Sequence, residues 1–589
     1  VKFRNKKQII INSLNVLSFL LLSYCYLSFF INSGKLQVIS DGSFHFARVE
    51  EIFNNLRQGH LFTFIATHTF SHSGNGSFLF YPSVYLYLWA ALRFIFNPVT
   101  AYYIWIGLFL FLTLTISYVC MLSFSKDKYR SYIFALIYTL ASYHFYLGIA
   151  NQTLGEYQAF TFIPIIFLGI YHLLWGDTKR WYLVSIGLAL TTYAHILSVY
   201  MSIGFAVTLF IAKLIYTREI SKDRIYAIVK AILLFITLTA PVLWIFLTDF
   251  VGQNIQSPAP TIALPMTLID IINNSLYNIV SKSTGIVLFG VAGVGWYFVK
   301  DNKVEMNIYL LGVTVLLFLT TIFPWEVLKN TPLIIIFGPI QYPYRFLNFA
   351  SFFLAVTGSY GFNKLVKKQK TRYQKNLVFI VIIALNSIIY LGQISSLFIN
   401  LNSNNNYLVK NSQVLKTLPD DQVITKENYQ DMFSYTILFG ETDYYPKQSY
   451  NGNNPNSNEF ANSIISQVSY LNGKEIKVHK KVLLPNKIRY IVDLDKKGIL
   501  DLPVIKYNHT NAVVDGKKIS HEISKRGTIA LNLSEGKHII EISYEPGTVF
   551  YLLVCVSFIS WILISYFSEN KYRTNQIIYP ISKIRNLKF

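Results

Sequence analysis

The chain has 589 residues, 53% of them hydrophobic and only 14% charged, with a mean hydropathy of +0.38. Soluble domains carry about 25% charged residues, and the deficit here comes from long uncharged runs of bilayer-spanning length. The formal charge of +22 would suggest nucleic acid in a soluble protein, but most Lys and Arg sit in short loops between apolar runs. There they report membrane orientation, and nucleic-acid binding is set aside.

The N-terminus reads KFRNKKQ and leads into an apolar run ending near Ile31. The run is too long for a signal-peptide core and no small-residue cleavage site follows, so an uncleaved first helix is expected. Further apolar stretches cover 78–96, 99–123, 131–150, 159–175, 181–196, 198–216, 225–247, 281–299, 307–323, 346–361, 377–399 and 548–568. With a cytoplasmic N-terminus, thirteen crossings would put the basic loops at Lys126–Arg130, Lys179–Arg180, Arg218–Arg224 and Lys364–Lys375 outside, with the tail from Lys571 to Lys588. That inverts the positive-inside rule. Demoting 78–96 repairs every loop. This stretch holds Pro82 and Arg93 and is rich in Tyr and Trp, which suits a helix lying at the interface. Twelve crossings remain, with both termini cytoplasmic and 32–98, 151–158, 248–280, 324–345 and 400–547 outside. No internal repeat is evident, which weighs against many transporter folds.

Residues 400–547 lack long apolar runs. The first part, NLNSNNNYLVKNS, reads as a linker or loop. From about 475 onward, EIKVHKKVLL, KIRYIVDL, TIALNL and HIIEISYEP recur between turn signals, and a small β-sandwich is expected. Cys25, Cys120 and Cys555 all lie in apolar runs, so neither a disulfide framework nor a structural zinc site is expected.

A transporter's polar residues usually lie mid-membrane. Here the ionisable residues of interest gather at the outer ends of the spans. Outside the soluble domain, the outward acids are Asp41, Glu50, Glu51, Glu156, Asp249, Asp270 and Glu326. Read as a helix, SDGSFHFARVEEIFNNLRQG (Ser40–Gly59) puts Asp41, His45, Arg48 and Asn55 near one face. Val49, Ile52, Phe53 and Leu56 form another, able to lie on the bilayer. Asp41 also suits an N-cap. SHSGNGSFLFYPSVYLYL (Ser71–Leu88) reads as a turn before an amphipathic helix. Glu156 lies between two spans in NQTLGEYQAFTFIPI. His195 in TYAHILS sits at a helix end, where a structural hydrogen bond is the commoner role. In GPIQYPYRFLNF, Arg345 matches phosphate geometry or anchors the interface.

Together these cues resemble the GT-C superfamily of membrane glycosyltransferases, whose pattern includes a catalytic Asp just after the first span and an interfacial helix in the same loop. DGSFHFARVEEIFNNLRQGH is similar to the first feature and FYPSVYLYLWAAL to the second. More narrowly, the chain resembles bacterial YfhO-type proteins labelled "6-pyruvoyl-tetrahydropterin synthase-related", although nothing in it supports pterin chemistry. The motifs are D-G-x-x-H at Asp41, the FYP helix, L-G-E-Y-Q-A-F-T-F-I-P around Glu156, A-H-I-L at His195, Q-Y-P-Y-R-F-L at Gln341 to Leu347, and the late D-G-K…G-K-H-x-I-x-I-x-Y strands. Two departures stand out. Asn151, Gln152 and Thr153 replace an Arg often seen before the acid, and Tyr342 and Tyr344 form the aromatic core of the Q-F-P-W-R pattern.

The resemblance implies a helical polytopic GT-C-like fold of about twelve spans plus an interfacial helix, with a C-terminal extracytoplasmic β-sandwich. The division is 1–400 (first outer loop 32–98), 401–547 and 548–589. It implies an inverting transfer of a sugar from a polyprenyl-phosphate donor to a cell-envelope glycopolymer or glycolipid on the outer face. Asp41 would be the general base, with Arg345 first and Arg48 second to meet the leaving phosphate. His45, Tyr81, Glu156, His195, Gln341 and Tyr344 complete the candidate substrate or phosphate site. Tyr81 and Tyr85 are candidates to stack on a sugar face. A divalent cation between Asp41 and Glu156 is an option, as in some relatives. Composition fits a low-GC Gram-positive bacterium. The competing readings are a flippase or transporter of lipid-linked sugar or envelope polymer, and a non-catalytic envelope-assembly protein.

Overall fold

A computed structural model describes residues 2–256, 262–413, 415–450 and 458–578, with side chains described between 13 and 566. The basic tail expected from Lys571 to Lys588 lies outside those side chains. Every one of the twelve expected stretches is helical. Among the described residues, seven helices are long and apolar enough to cross a membrane. Two more spans arise if the bent pairs Lys128–Thr139 with Ser142–Ala150, and Leu154–Phe160 with Ile163–Leu174, each count as one. The remaining three are Tyr182–Thr192, Gly285–Val299 and Leu347–Lys367. The last carries Asn348, Thr357, Ser359 and Asn363 along its length and is buried nearly throughout. The chain is a multi-pass helical membrane protein with a C-terminal β domain.

Helix α1 (Lys2–Ser33) leads through strand β1 (Leu36–Val38) into α2 (Gly42–Arg57). The demoted stretch breaks into α3 (Ser77–Phe80) and α4 (Leu86–Leu92), because Pro82 has no amide hydrogen to continue a helix. Neither piece is long enough to span. The side-chain contacts show the chain returning on the same side. In α5 (Pro98–Ser125), Tyr103 Oη donates to Lys35 O at 3.1 Å, so α5 starts beside the end of α1. In α6 (Lys128–Thr139), Tyr132 Oη bonds Ser18 Oγ at 2.9 Å, closer to the start of α1. Around that end gather Asp127 with Lys367 at 2.7 Å, Tyr129 with Asn376 at 2.6 Å and Arg180 with Ser123 at 2.8 Å. The basic loops therefore share one end of the bundle. The charge pattern had grouped them in the same way.

The other end carries the β domain. Strand β2 (Gln422–Ile424) pairs antiparallel with β1, Gln37 opposite Val423. The 400–412 stretch, expected as a linker or loop, sends Leu401 and Leu408 into the main core, and the residues after it add Leu418, Ile424, Tyr429, Met432 and Ile437. Their polarity is confined to the exposed positions, which is what made the segment read as a loop. The sandwich follows, built of β3 (Ser469–Leu471), β4 (Lys474–Ile476), β5 (Lys480–Leu484), β6 (Lys487–Leu494), β7 (Gly498–Ile505), β8 (Thr510–Val514), β9 (Lys517–Lys518), β10 (Glu522–Ile523), β11 (Thr528–Leu533) and β12 (Gly536–Tyr544). Two antiparallel sheets, β10-β11-β7-β3-β4 and β5-β6-β12-β8-β9, face one apolar core that includes Ile488, Val492, Leu502, Leu531 and Ile542. Burial alternates along β6 and β8, as one inward face requires.

The sandwich is fastened to the helical part. Asn486 receives Phe64 N at 2.7 Å and donates to Phe62 O at 2.7 Å. Tyr507 Oη accepts Gly76 N at 2.8 Å and donates to Tyr444 O at 3.0 Å. Beneath them Phe64, Phe80, Ile245, Tyr544 and Phe550 form a shared apolar cluster.

Candidate functional site

The seven acids named from the sequence meet very different fates at the sandwich end. Glu51 is fully buried and accepts from Thr67 N, His68 N and Thr69 N at 2.9, 2.8 and 2.9 Å, and from both threonine hydroxyls. Burial alone would raise its pKa, but His68 and these bonds hold it below the usual range. Glu50 pairs with Arg93. Asp249 binds His509 Nδ1 at 2.7 Å and Tyr544 Oη at 3.0 Å, locking the sandwich to a helix end. Asp270 closes a capping box with Thr267, and Glu326 faces Lys329 at 3.8 Å on the surface. Glu156 is buried against Tyr143 Oη at 2.9 Å, Asn348 Nδ2 at 2.6 Å and Arg345 Nε at 3.4 Å.

Asp41 is the exception. It occupies the N-cap position of α2, but its side chain makes no capping bond. Among the described residues its carboxylate has no hydrogen-bond or ion-pair partner within reach. It is half-buried, and burial raises its pKa to about 6. Arg345 pulls the value down and Asp443 adds to the rise. Such a carboxylate is close to the pKa at which a base both holds and releases a proton near neutrality.

Local sequence explains how Asp41 is presented. Gln152 Oε1 accepts Ile39 N at 3.0 Å and Gln152 Nε2 donates to Gln37 O at 2.6 Å, clamping the strand that enters α2. A Cβ at Gly42 would collide with that amide. Gln152 therefore shapes the turn at Asp41. A Cβ at Gly155 would likewise strike the Tyr81 hydroxyl, so Gly155 lets Tyr81 reach the element that carries Glu156.

The sequence candidates mostly converge. Tyr81 lies with its ring 5.6 Å from His45 and 6.0 Å from His195. His45 is buried and its pKa lies well below the ordinary value, through burial first and then Arg48 and His195. His195 occupies the N-cap position of its helix without a side-chain capping bond and shares a hydrogen bond of 2.9 Å with Ser198 Oγ. Arg345 Nη1 donates to Ile340 O at 3.0 Å and Gln341 Oε1 at 3.1 Å, and among the described residues Nη2 has no partner. Gln341 itself holds a left-handed φ of 60°. Tyr344 stacks on Tyr342 at 5.1 Å, with Lys282 4.6 Å from its ring centre.

Three readings are corrected. Arg48 is completely buried and donates to Tyr81 O at 2.7 Å and Pro82 O at 2.9 Å, beneath the Tyr81 ring at 4.8 Å. It supports the α3–α4 turn and does not face the open site. Val49 and Ile52 are buried in protein, not laid on a bilayer, because α4 packs on that face of α2. Tyr85 donates to Leu190 O at 3.1 Å and packs between Phe109 and Phe162, so its ring faces are taken up by protein.

Asp443 was missed. It belongs to the 438–443 turn, which reaches α2 through Leu438 N to Ser43 Oγ at 3.2 Å, with Gly440 against Phe44. Burial raises its carboxyl pKa. The sequence GETDYYP offered only an acid beside aromatics in a loop. Tyr143 and Asn348, which hold Glu156, were also missed. Among the described residues no group of three or more His, Cys, Asp or Glu side chains could hold a metal ion. Glu156 already spends its oxygens on Arg345, Tyr143 and Asn348.

The fold and site define a multi-pass membrane protein in which, among the described residues, two neighbouring carboxylates, Asp41 and Asp443, have no hydrogen-bond or ion-pair partner. No family model matches the chain, and no curated protein does. Among solved structures it is similar to the single-particle cryo-EM structure of the arabinofuranosyltransferase AftD from Mycobacteria. The identity is 11%, the TM-score 0.39, and the match covers 65% of this chain and 26% of that one. The chain thus spans about a quarter of that protein's length, and a likeness at this level decides neither fold nor chemistry.

Proposed function

We propose that the protein is an inverting membrane glycosyltransferase that moves a sugar from a polyprenyl-phosphate donor to a cell-envelope acceptor on the outer face, with both termini cytoplasmic. The observation that carries this reading is the unpaired Asp41 carboxylate beside Arg345. In the reaction, an acceptor hydroxyl oxygen forms a bond to the anomeric carbon while its proton passes to Asp41. The bond from that carbon to the phosphate oxygen breaks, and polyprenyl phosphate leaves with the electron pair. A sugar hydroxyl is a poor nucleophile at neutral pH, so a placed base helps as the proton departs. The free Nη2 edge of Arg345 offsets the charge gathering on the phosphate. Glu156, held by Tyr143 and Asn348, keeps the guanidinium in place. Tyr81, His45 and His195 line the approach, and the order of motifs from Asp41 to Arg345 supports the GT-C reading.

The test is to offer the purified protein polyprenyl-phosphate sugars and follow release of polyprenyl phosphate. Release that disappears in Asp41→Asn supports the reading. No release with any donor, together with movement of lipid-linked sugar across vesicles, would establish a flippase in its place.

A further inference from the structure

A cleft of about 200 Å³ lies on the other side of α2 from Asp41, walled by Ser43 and Ala47, the 68–72 segment, residues between Asn411 and Leu418, residues 432–437 and Gln467. Ser43 stands two residues from both Asp41 and His45, and Ala47 two from His45, each about 200° of helical turn. The 436–443 segment separates the two places: Thr436 and Ile437 face the cleft, and Asp443 acts on Asp41.

The backbone lining this cleft is strained. Phe70, Ser71 and His72 adopt φ values of 50°, 50° and 58° in succession. Left-handed backbone disfavours every residue but glycine, and such strain persists only where surrounding structure imposes it. Three parts of the molecule impose it here. Glu51 of α2 grips residues 67–69. Glu441 accepts Ser71 Oγ at 2.7 Å. From the sandwich side, Ile505 N donates to Ser73 O at 2.8 Å and Lys481 Nζ to His72 O at 3.3 Å.

The lining chemistry is specific. None of its side chains is a carboxylate. His72 Nδ1 lies 3.1 Å from Thr67 O, which places the ring proton there. Burial, then Lys481, lowers the His72 pKa to about 4, so the ring is neutral and Nε2 is an open acceptor. The Gln413 amide is exposed, and the rings of Phe70, Phe433 and Tyr435 complete the wall. Lys416 is the one fixed charge, 5.9 Å from the centre of the Tyr435 ring. Aromatic faces beside neutral donors and acceptors suit a sugar ring, which offers apolar C–H faces and a hydroxyl rim. The volume is below the ~300–1,000 Å³ of drug-sized pockets and fits a single sugar unit of a longer chain.

We propose that this cleft is a carbohydrate subsite that holds one sugar unit of the acceptor glycan. The assignment of the glycan as acceptor rests on the transferase reading; binding in the cleft does not. Full-length protein in detergent is offered neutral hexose and pentose trisaccharides with no lipid donor, and binding is followed by thermophoresis. At least one trisaccharide is expected to bind, Gln413→Ala and Tyr435→Ala each to weaken it about tenfold with unchanged thermal midpoints, and Asp41→Asn to bind as the native chain does. Absence of trisaccharide binding overturns the proposal, as does native-like binding by both cleft variants. Binding confined to polyanions, and abolished by salt or by Lys416→Gln, also overturns it. Trisaccharide binding by a protein that turns over no donor overturns the transferase reading and leaves the cleft standing.

Discussion

The two ends of the helical bundle use the same charged residues in opposite ways. At the basic end Arg130 meets Glu305 in a two-bond fork, both contacts 2.8 Å, and Asp127 binds Lys367. Arg224 caps the carbonyls of His172, Leu173 and Gly176. These charges are committed to holding helices together. At the sandwich end Glu51 and Asp249 are committed in the same manner, yet Asp41 and the outer edge of Arg345 are not. A buried or half-buried charge left without a partner costs stability. Such groups cluster at this end, where among the described residues Asp443 also has no partner and two Arg48 nitrogens are buried unbonded, and that separates a site from a scaffold.

The sharpest way to break this comparison is Asp41→Asn. Turnover of a polyprenyl-phosphate sugar is expected to fall by about 10²–10⁴-fold, the usual worth of a placed general base, with an unchanged unfolding midpoint. A variant as active as the native protein would remove the distinction between open and committed acids. The converse test is Arg130→Met. It leaves Glu305 buried without its partner and should cost about 3–5 kcal/mol of stability, read as a lowered unfolding midpoint in detergent. Replacing Glu305 by Gln in the same chain should recover part of that loss. Arg345→Lys comes next, with a fall in kcat of roughly ten- to a hundredfold, because a lysine cannot hold Gln341, Ile340 and a phosphate edge at once. The smallest effect is in pH. With Asp41 raised to about 6, the base is protonated as pH falls through that value. The expected kcat/KM is flat above about pH 7 and declines about tenfold per unit below about pH 5. Any residual rate in Asp41→Asn should lack that limb, and a native profile flat down to pH 4 would remove Asp41 from the role of base.

Much of the architecture was readable because it is written in short-range pattern. A run of some twenty apolar residues specifies a span whatever surrounds it, and alternation in HIIEISY specifies a strand with one wet face. Pro82 and Arg93 were enough to show that 78–96 does not cross as one helix. Other features depended on partners distant in the chain. Arg48 stands seven residues from Asp41, so helical spacing put both on one face, but only the packing of Tyr81 and Pro82 buries it. The left-handed turn at Phe70–His72 runs against the preference of all three residues and exists because Glu51, Glu441 and Ile505 hold it.

The sequence by itself determined a multi-pass chain, a sandwich near its end, and an acid just after the first span. Each follows from hydropathy, periodicity or position along a few dozen residues. Only the tertiary structure decided which acids are spent and which are free. It paired Glu156 with Arg345, 189 positions apart, brought Asp443 to the start of α2, and left Asp41 and Asp443 without partners among the described residues. Partnership between charges is a property of distance in space, and the order of residues does not encode it locally.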